Sequence, residues 1–122
     1  MRKIDIHKIG DCKVDVIAID KPGAGGANHS YELVVGNSVY PIDFQKGAIN
    51  EVGNNGVTNE ALIAIVIDRL EGFQKGPTRQ GVGEFACREN AIALTKLEEA
   101  LLWLQKRTRD RMARGVEGRS IA

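Results

Sequence analysis

The sequence predicts an α+β protein: a small N-terminal antiparallel β-sheet over residues 1–56, then a long antiparallel helical hairpin over 57–122 that oligomerises through its helices. Three observations carry this expectation. The first half alternates short β-branched runs with Gly/Pro-rich breaks. The second half holds two long stretches whose apolar residues recur every three or four positions. A Gly76-Pro77 break separates those two stretches.

In chain order, the run VDVIAI between Lys13 and Ile19 reads as a strand, and KPGAGGAN after it as a connecting loop. Tyr31 to Val35 and Ser38 to Ile42 read as a hairpin around Gly36-Asn37, where glycine at the first central position suits a type II′ turn. Pro41 lacks an N–H, which places its strand at an edge. NEVGNNG reads as a loop. Thr58 is the expected N-cap of the first helix, with Val57 and Leu62 spaced as a hydrophobic staple and Glu60 in the first turn.

That helix is expected to run to about Phe73. LIAIVIDRL within it is apolar almost all round, which predicts burial on more than one side. The second helix should extend from about Ala86 to Arg114, with Gly115 as its C-terminal cap. Cys87, Asn90, Leu94, Leu97, Leu101, Leu104, Thr108 and Arg111 fall at spacings of three or four and line one seam. Leucine holds the middle of this seam and polar residues its ends. At about 1.5 Å per residue the helix would be roughly 43 Å long, more than one small core covers, so another protomer is expected to cover the rest.

Composition narrows the class. Hydrophobic residues make up 43% and charged residues 27%, as in soluble globular proteins, and only 5% are aromatic, so aromatic rings cannot fill the core. No apolar run approaches the roughly 20 residues a bilayer requires, and MRKIDIHKIG lacks the apolar centre of a signal peptide, so a cytoplasmic location is expected. Cys12 and Cys87 are isolated, which predicts reduced thiols. The net charge of +1 conceals an asymmetry. Between Gln105 and Arg119, six cations (Lys106, Arg107, Arg109, Arg111, Arg114, Arg119) face two carboxylates (Asp110, Glu117), a local +4 against −3 elsewhere. An anionic partner should meet that end first.

Candidate chemistry concentrates at the seam ends. Asn90 and Arg107 are seventeen positions apart, about 25 Å along a helix, too far to grip one dinucleotide-sized ligand from a single chain. Two antiparallel hairpins would bring Asn90 of one chain beside Arg107 and Arg111 of another. Arginine suits such a place because its fork binds phosphate bidentately and stacks on bases. The plainer alternative is a solvated basic face that favours the helix C-terminus. KPGAGGANH has neither the third glycine nor the following helix of a dinucleotide fingerprint, and reads as a flexible connector. His7, His29, Cys12 and Cys87 lack ligand spacing, so neither a metal nor any other cofactor is expected. No nucleophile sits beside a base in sequence, and Asp68, Glu71, Glu98 and Glu99 read as solvated helix carboxylates. Phe73, at a helix end, either plugs the core or offers a stacking face.

FQKGAI, GVTNEALIAIVIDRLEGFQ, FACRENAIALTKLEEALLWLQKRTRDR and RGVEG resemble the phage-encoded Thoeris anti-defence sponge family. The second helix is also similar to that of the phage anti-CBASS cyclic-oligonucleotide sponge, with which the family shares a helical-hairpin domain. The resemblance covers roughly Val39 to Gly118. It implies a non-enzymatic homo-oligomer, a dimer or hexamer, acting in the infected bacterial host cell. Such a protein sequesters glycocyclic ADP-ribose isomers, and some members also take up cyclic di- and trinucleotides. By the same resemblance, Phe73 of GFQ, Asn90 of REN, Arg107 and Arg111 would stack on the base and hold the phosphates and ribose. The family usually joins GFQ to FACREN by a short GP link, whereas TRQGVGE intervenes here and leaves Phe85 or Arg79 as alternatives to Phe73. Two other functions compete: a nucleic-acid-binding helical dimer, with steep salt dependence, and a nucleotide-hydrolysing enzyme.

Overall fold

The computed structural model describes residues 1–115. The chain forms two compact units, one comprising Met1–Val57 and one beginning at Thr58. The first unit is a four-stranded antiparallel sheet in the order β1 (Arg2–Ile4), β2 (Val14–Ala18), β3 (Ser30–Val35) and β4 (Ser38–Asp43). The hairpin and the central strand stand where the β-branched runs put them. β1 was not expected, because three residues are too few to show a two-residue period. It pairs Arg2 with Ala18 and Ile4 with Val16.

The turn at Gly36-Asn37 joins Val35 to its partner Ser38. Gly36 has φ 58° and Asn37 does not share the positive φ, the type II′ pattern. A two-residue turn makes Val35 and Ser38 a hydrogen-bonded pair, so Tyr40 and Ile42 also bond inward, and the missing N–H of Pro41 falls on the outer side of edge strand β4. One sheet face gathers Val14, Val16, Ala18, Tyr31, Leu33 and Ile42, and Tyr31 meets Phe44 edge-to-face at 5.6 Å. Ala18 is its one fully buried apolar residue.

The loop after β2 is a correction to the expected flexible connector. It contains a short 3-10 turn, Ala24–Gly26, and Asp20 closes it. The Asp20 carboxylate accepts from the His29 N–H at 3.0 Å and from Asn28 Nδ2 at 3.0 Å, while Arg2 donates to Asn28 Oδ1 at 2.8 Å. The His29 N–H is the main reason the Asp20 carboxyl lies below the ordinary carboxylate range. At the other end of the sheet, Lys8 pairs with Asp15, raising the Lys8 ammonium and lowering the Asp15 carboxyl chiefly through their hydrogen bond.

The segment read as an open loop after β4 is likewise ordered and holds a short helix, α1 (Ile49–Val52). Two amide side chains close its base. Asn55 accepts from the Lys46 N–H and donates to the Lys46 carbonyl, both at 2.8 Å, and Gln45 Oε1 accepts from the Asn55 N–H at 3.0 Å. Val57 then forms a parallel bridge with Phe44. Gly56 is obligatory there, since a Cβ would lie 2.4 Å from the Phe44 carbonyl carbon.

The second unit is the hairpin of α2 (Asn59–Lys75) and α3 (Arg88–Ala113), which pack on one another. Thr58 caps α2 as expected, its Oγ1 accepting from the Ala61 N–H at 3.1 Å. Gly115 follows α3 with φ 71° and donates to the Met112 carbonyl. The inner stripe of α3 is the anticipated seam. Asn90, Leu94, Leu97, Leu101, Leu104, Thr108 and Arg111 are all withdrawn from solvent, with only Gln105 beside them, whereas Cys87 is an exposed N-cap. Leu94 is 8% exposed and Arg111 7%.

One expectation about α2 fails within the chain. Ile65 is 63% exposed and Val66 is also exposed, because one partner helix covers one side only. Among the described residues, Ala18 and Leu94 are the only buried apolar side chains. With 26 residues against 17, α3 reaches about 39 Å and α2 about 25 Å, so the C-terminal part of α3 outruns its partner. No helix among the described residues is long and apolar enough to cross a membrane.

Candidate ligand-binding site

The four residues singled out in the sequence divide between the two ends of α3. Phe73 and Asn90 belong to the hairpin-turn end, Arg107 and Arg111 to the far end, and one chain does not bring the two pairs together. The helical rise between Asn90 and Arg107 remains about 25 Å.

At the turn end, Phe73 closes the last turns of α2 and is half-buried. The Arg69 guanidinium carbon lies 5.0 Å from its ring centroid, and Phe85 meets it edge-to-face at 6.0 Å. The connecting segment from Gly76 to Cys87 is fastened to the helix end it follows. The Gly81 and Gly83 N–H groups donate to the carbonyls of Lys75 and Gln74, each at 3.0 Å, satisfying acceptors that a helix C-terminus otherwise leaves open. Gln74 Oε1 accepts from the Cys87 N–H at 2.9 Å. Cys87 caps α3 through Sγ, which accepts from the Asn90 N–H at 3.4 Å, and Asn90 Nδ2 donates to the Phe85 carbonyl at 3.4 Å.

Arg79, one alternative to Phe73, turns back across α2. It has a left-handed backbone, φ 63°, and its Nη2 reaches Asp68 Oδ1 at 3.1 Å. Gly72 leaves room for that guanidinium, since a Cβ there would lie 3.3 Å from Arg79 Nη1. Through Arg79, Gly81 and Gly83 the TRQGVGE segment is fastened back onto α2.

At the far end, an open depression of about 510 Å³ is lined by Trp103, Lys106, Arg107, Asp110, Arg111 and Arg114. Among the described residues its lining carries four cations and one carboxylate, a local excess of positive charge. Lys106 is paired to Asp110 at 2.7 Å. Arg107 is exposed, whereas Arg111 is buried and already makes interactions within the chain. The polar end of the seam is thus not simply wet. Glu117 and Arg119, part of the basic segment read from the sequence, lie outside the described residues. Trp103 escaped the sequence reading. Its signal was its place four residues before Arg107, off the leucine seam, where an indole has no core to fill.

The remaining candidates are the two histidines and the two cysteines. His7 Nε2 donates to the Val14 carbonyl at 2.8 Å and His29 Nε2 to the Ala24 carbonyl at 3.0 Å. Cys12 and Cys87 are free thiols. No group of three or more His, Cys, Asp or Glu residues gathers to hold a metal among the described residues.

Residues 40–109, more than half the chain and spanning the fastened loop after β4, all of α2 and most of α3, match the family model described as Acb2/Tad1, hairpin domain. The chain is also 58% identical over 77 residues to a protein of Bacillus phage SBSphiJ7 named Thoeris anti-defense 1. That alignment takes in 63% of this chain and 49% of the phage protein, so the chain spans about half the length of the curated relative it matches. With the hairpin, its capped helices and its long seam coinciding with the matched region, this chain belongs to the Acb2/Tad1 hairpin-domain family.

Proposed function

We propose that this protein is a phage anti-defence sponge. It binds cyclic nucleotide immune signals, glycocyclic ADP-ribose isomers and cyclic di- or trinucleotides among them, and withholds them from their effectors without cleaving them. Acting in the cytoplasm of the infected host, it blocks Thoeris immunity and extends to CBASS. The observation that carries the reading is the division of the site along a family hairpin. An aromatic and an amide stand at one end of α3, a cationic depression at the other, and about 25 Å separate them. Two antiparallel hairpins join these halves into one pocket, with Phe73 and Asn90 from one protomer and Arg107 and Arg111 from its partner. The exposed Ile65 and Val66 of α2 and Leu102 and Trp103 of α3 supply apolar surface for a dimer or hexamer. The name of the phage relative supports the anti-defence role.

Sequestration needs affinity rather than transition-state chemistry. Free signal falls only when sites outnumber it at concentrations above the dissociation constant. The test is to load the purified protein with a panel of glycocyclic ADP-ribose isomers and cyclic oligonucleotides, remove free ligand, heat-denature, and identify what is released by mass spectrometry. Intact ligand at one stoichiometric load, lost in Arg107→Ala, is the expected result. Recovery of a cleaved product would make the protein an enzyme, and binding of nucleic acid alone would return the basic helix end to the competing reading.

A further inference from the structure

We propose that Asp110 selects the ligand at the cationic half of the site, accepting hydrogen bonds from its ribose hydroxyls while the neighbouring arginines take its phosphates. The inference rests on the sponge reading and deepens it, because it names which phosphate-bearing molecules that half admits. The depression is lined by Lys106, Arg107, Arg111 and Arg114, and Asp110 is the one carboxylate among them. For phosphate alone that carboxylate is a disadvantage: it repels the ligand and occupies a cation that phosphate could use. For a nucleotide it supplies what the cations lack. Guanidinium and ammonium groups only donate, as phosphate requires, whereas an ionised carboxylate only accepts, as a hydroxyl requires.

The spacing along α3 puts the two kinds of group side by side. Trp103, Arg107, Asp110 and Arg114 follow at intervals of four, three and four, so Asp110 sits on one stripe between two arginines. The helical rise is about 4.5 Å from Arg107 to Asp110 and about 6 Å from Asp110 to Arg114. A phosphate on either guanidinium thus brings the sugar bonded to it within reach of the carboxylate. Lys106, one turn earlier, holds Asp110 Oδ2 at 2.7 Å and leaves Oδ1 outside the pair. That contact orients the carboxylate without exhausting it, since its two oxygens offer about four acceptor sites. Both side chains are more than half exposed, so a ligand can reach them. The same charge works against inorganic phosphate and pyrophosphate, which would otherwise fill a bare cluster of arginines and which carry no sugar hydroxyl to offset the repulsion.

The experiment compares the parent with Asp110→Ala and Asp110→Asn, titrating each glycocyclic ADP-ribose isomer by calorimetry, with inorganic pyrophosphate as a hydroxyl-free competitor. Exposed ion pairs contribute little to stability, so unliganded melting of both variants should match the parent. A hydrogen bond to a charged group is worth about tenfold in affinity or more, so Asp110→Ala should weaken isomer binding by that factor. Asparagine keeps an acceptor and should weaken it less. Pyrophosphate should move the opposite way, competing about two- to fivefold more strongly in both variants. Opposite signs for the two anions are the signature, because a carboxylate that was merely surface charge would, on removal, strengthen both. A Lys106→Ala background separates a second case: if Asp110 served only to place Lys106, Asp110→Ala would add no further loss there. Isomer binding that is unchanged or tighter in Asp110→Ala, or a loss that vanishes in the Lys106→Ala background, overturns the inference and leaves the sponge reading intact. A parent that takes up no isomer removes both.

Discussion

Gly83→Ala tests whether the turn is held by backbone packing. The new Cβ would lie 1.9 Å from the Phe73 carbonyl oxygen and 2.6 Å from its carbon, whereas ordinary contact begins at 3.4 Å. The obstacle is helix backbone, which cannot swing aside as a side chain would. Subtracting 1.9 from 3.4 Å, the segment must lift by about 1.5 Å, enough to break the 3.0 Å bond from Gly83 N–H to the Gln74 carbonyl. Loss of one hydrogen bond costs about 1 kcal/mol and overpacking about 1–3 kcal/mol more, for a total of roughly 2–4 kcal/mol. At about 4–8 °C per kcal/mol for a domain of this size, even the lower figure lowers Tm by roughly 8–16 °C. The control is Gly81→Ala, whose Cβ would meet nothing closer than the Lys75 carbonyl at 3.6 Å. Its Tm should stay near that of the parent. Melting followed by circular dichroism at the helix band decides the matter, and equal Tm values for the two variants would refute the packing argument.

Other outcomes follow from single bonds. Thr58→Ala leaves the Ala61 N–H without its cap and should cost about 1 kcal/mol in urea denaturation, with Thr58→Ser close to the parent. Asp20 has a depressed folded pKa, so its contribution is complete above the ordinary 3.8 and is lost as pH falls through the lower folded value. The His29 amide shift in a nitrogen-resolved NMR titration should therefore show a midpoint below 3.8, and a midpoint at or above it would mean that the His29 bond does not stabilise the carboxylate. Arg107→Ala should abolish retention of the anionic ligand while leaving melting nearly unchanged, because the side chain is exposed.

What was legible in the sequence was what repeats. The seam from Asn90 to Arg111 declared itself because seven residues at three- and four-residue spacing leave little alternative to one buried helix stripe, and the structure withdraws those seven from solvent. Thr58, Gly36 and Pro41 were legible because each is chemically suited to one kind of position. What escaped has no period. β1 exists only through its register with β2, and the loop from Gln45 to Val57 is closed by side-chain amides reaching nine or ten residues along the chain. For the site proposed here, the sequence reading put Asn90, Arg107 and Arg111 on the second helix, and all three lie on α3. It did not reveal that an inserted segment would fold back to set Phe85 against Phe73, since that depends on contacts outside α3 periodicity.

The Gln45–Asn55 closure also bears on how the protein ages. Asn55 directly precedes Gly56, the dipeptide in which the following N–H most readily attacks the asparagine amide, expelling ammonia and leaving a succinimide that opens to aspartate or isoaspartate. Neither partner can be exchanged cheaply, since both side-chain ends of Asn55 are used by Lys46 and a Cβ at Gly56 would strike Phe44. In the folded loop the Asn55 amide is held by its two bonds to the Lys46 backbone. Unfolding frees that amide, and a copy deamidated to aspartate would carry a carboxylate where the Lys46 carbonyl needs a donor.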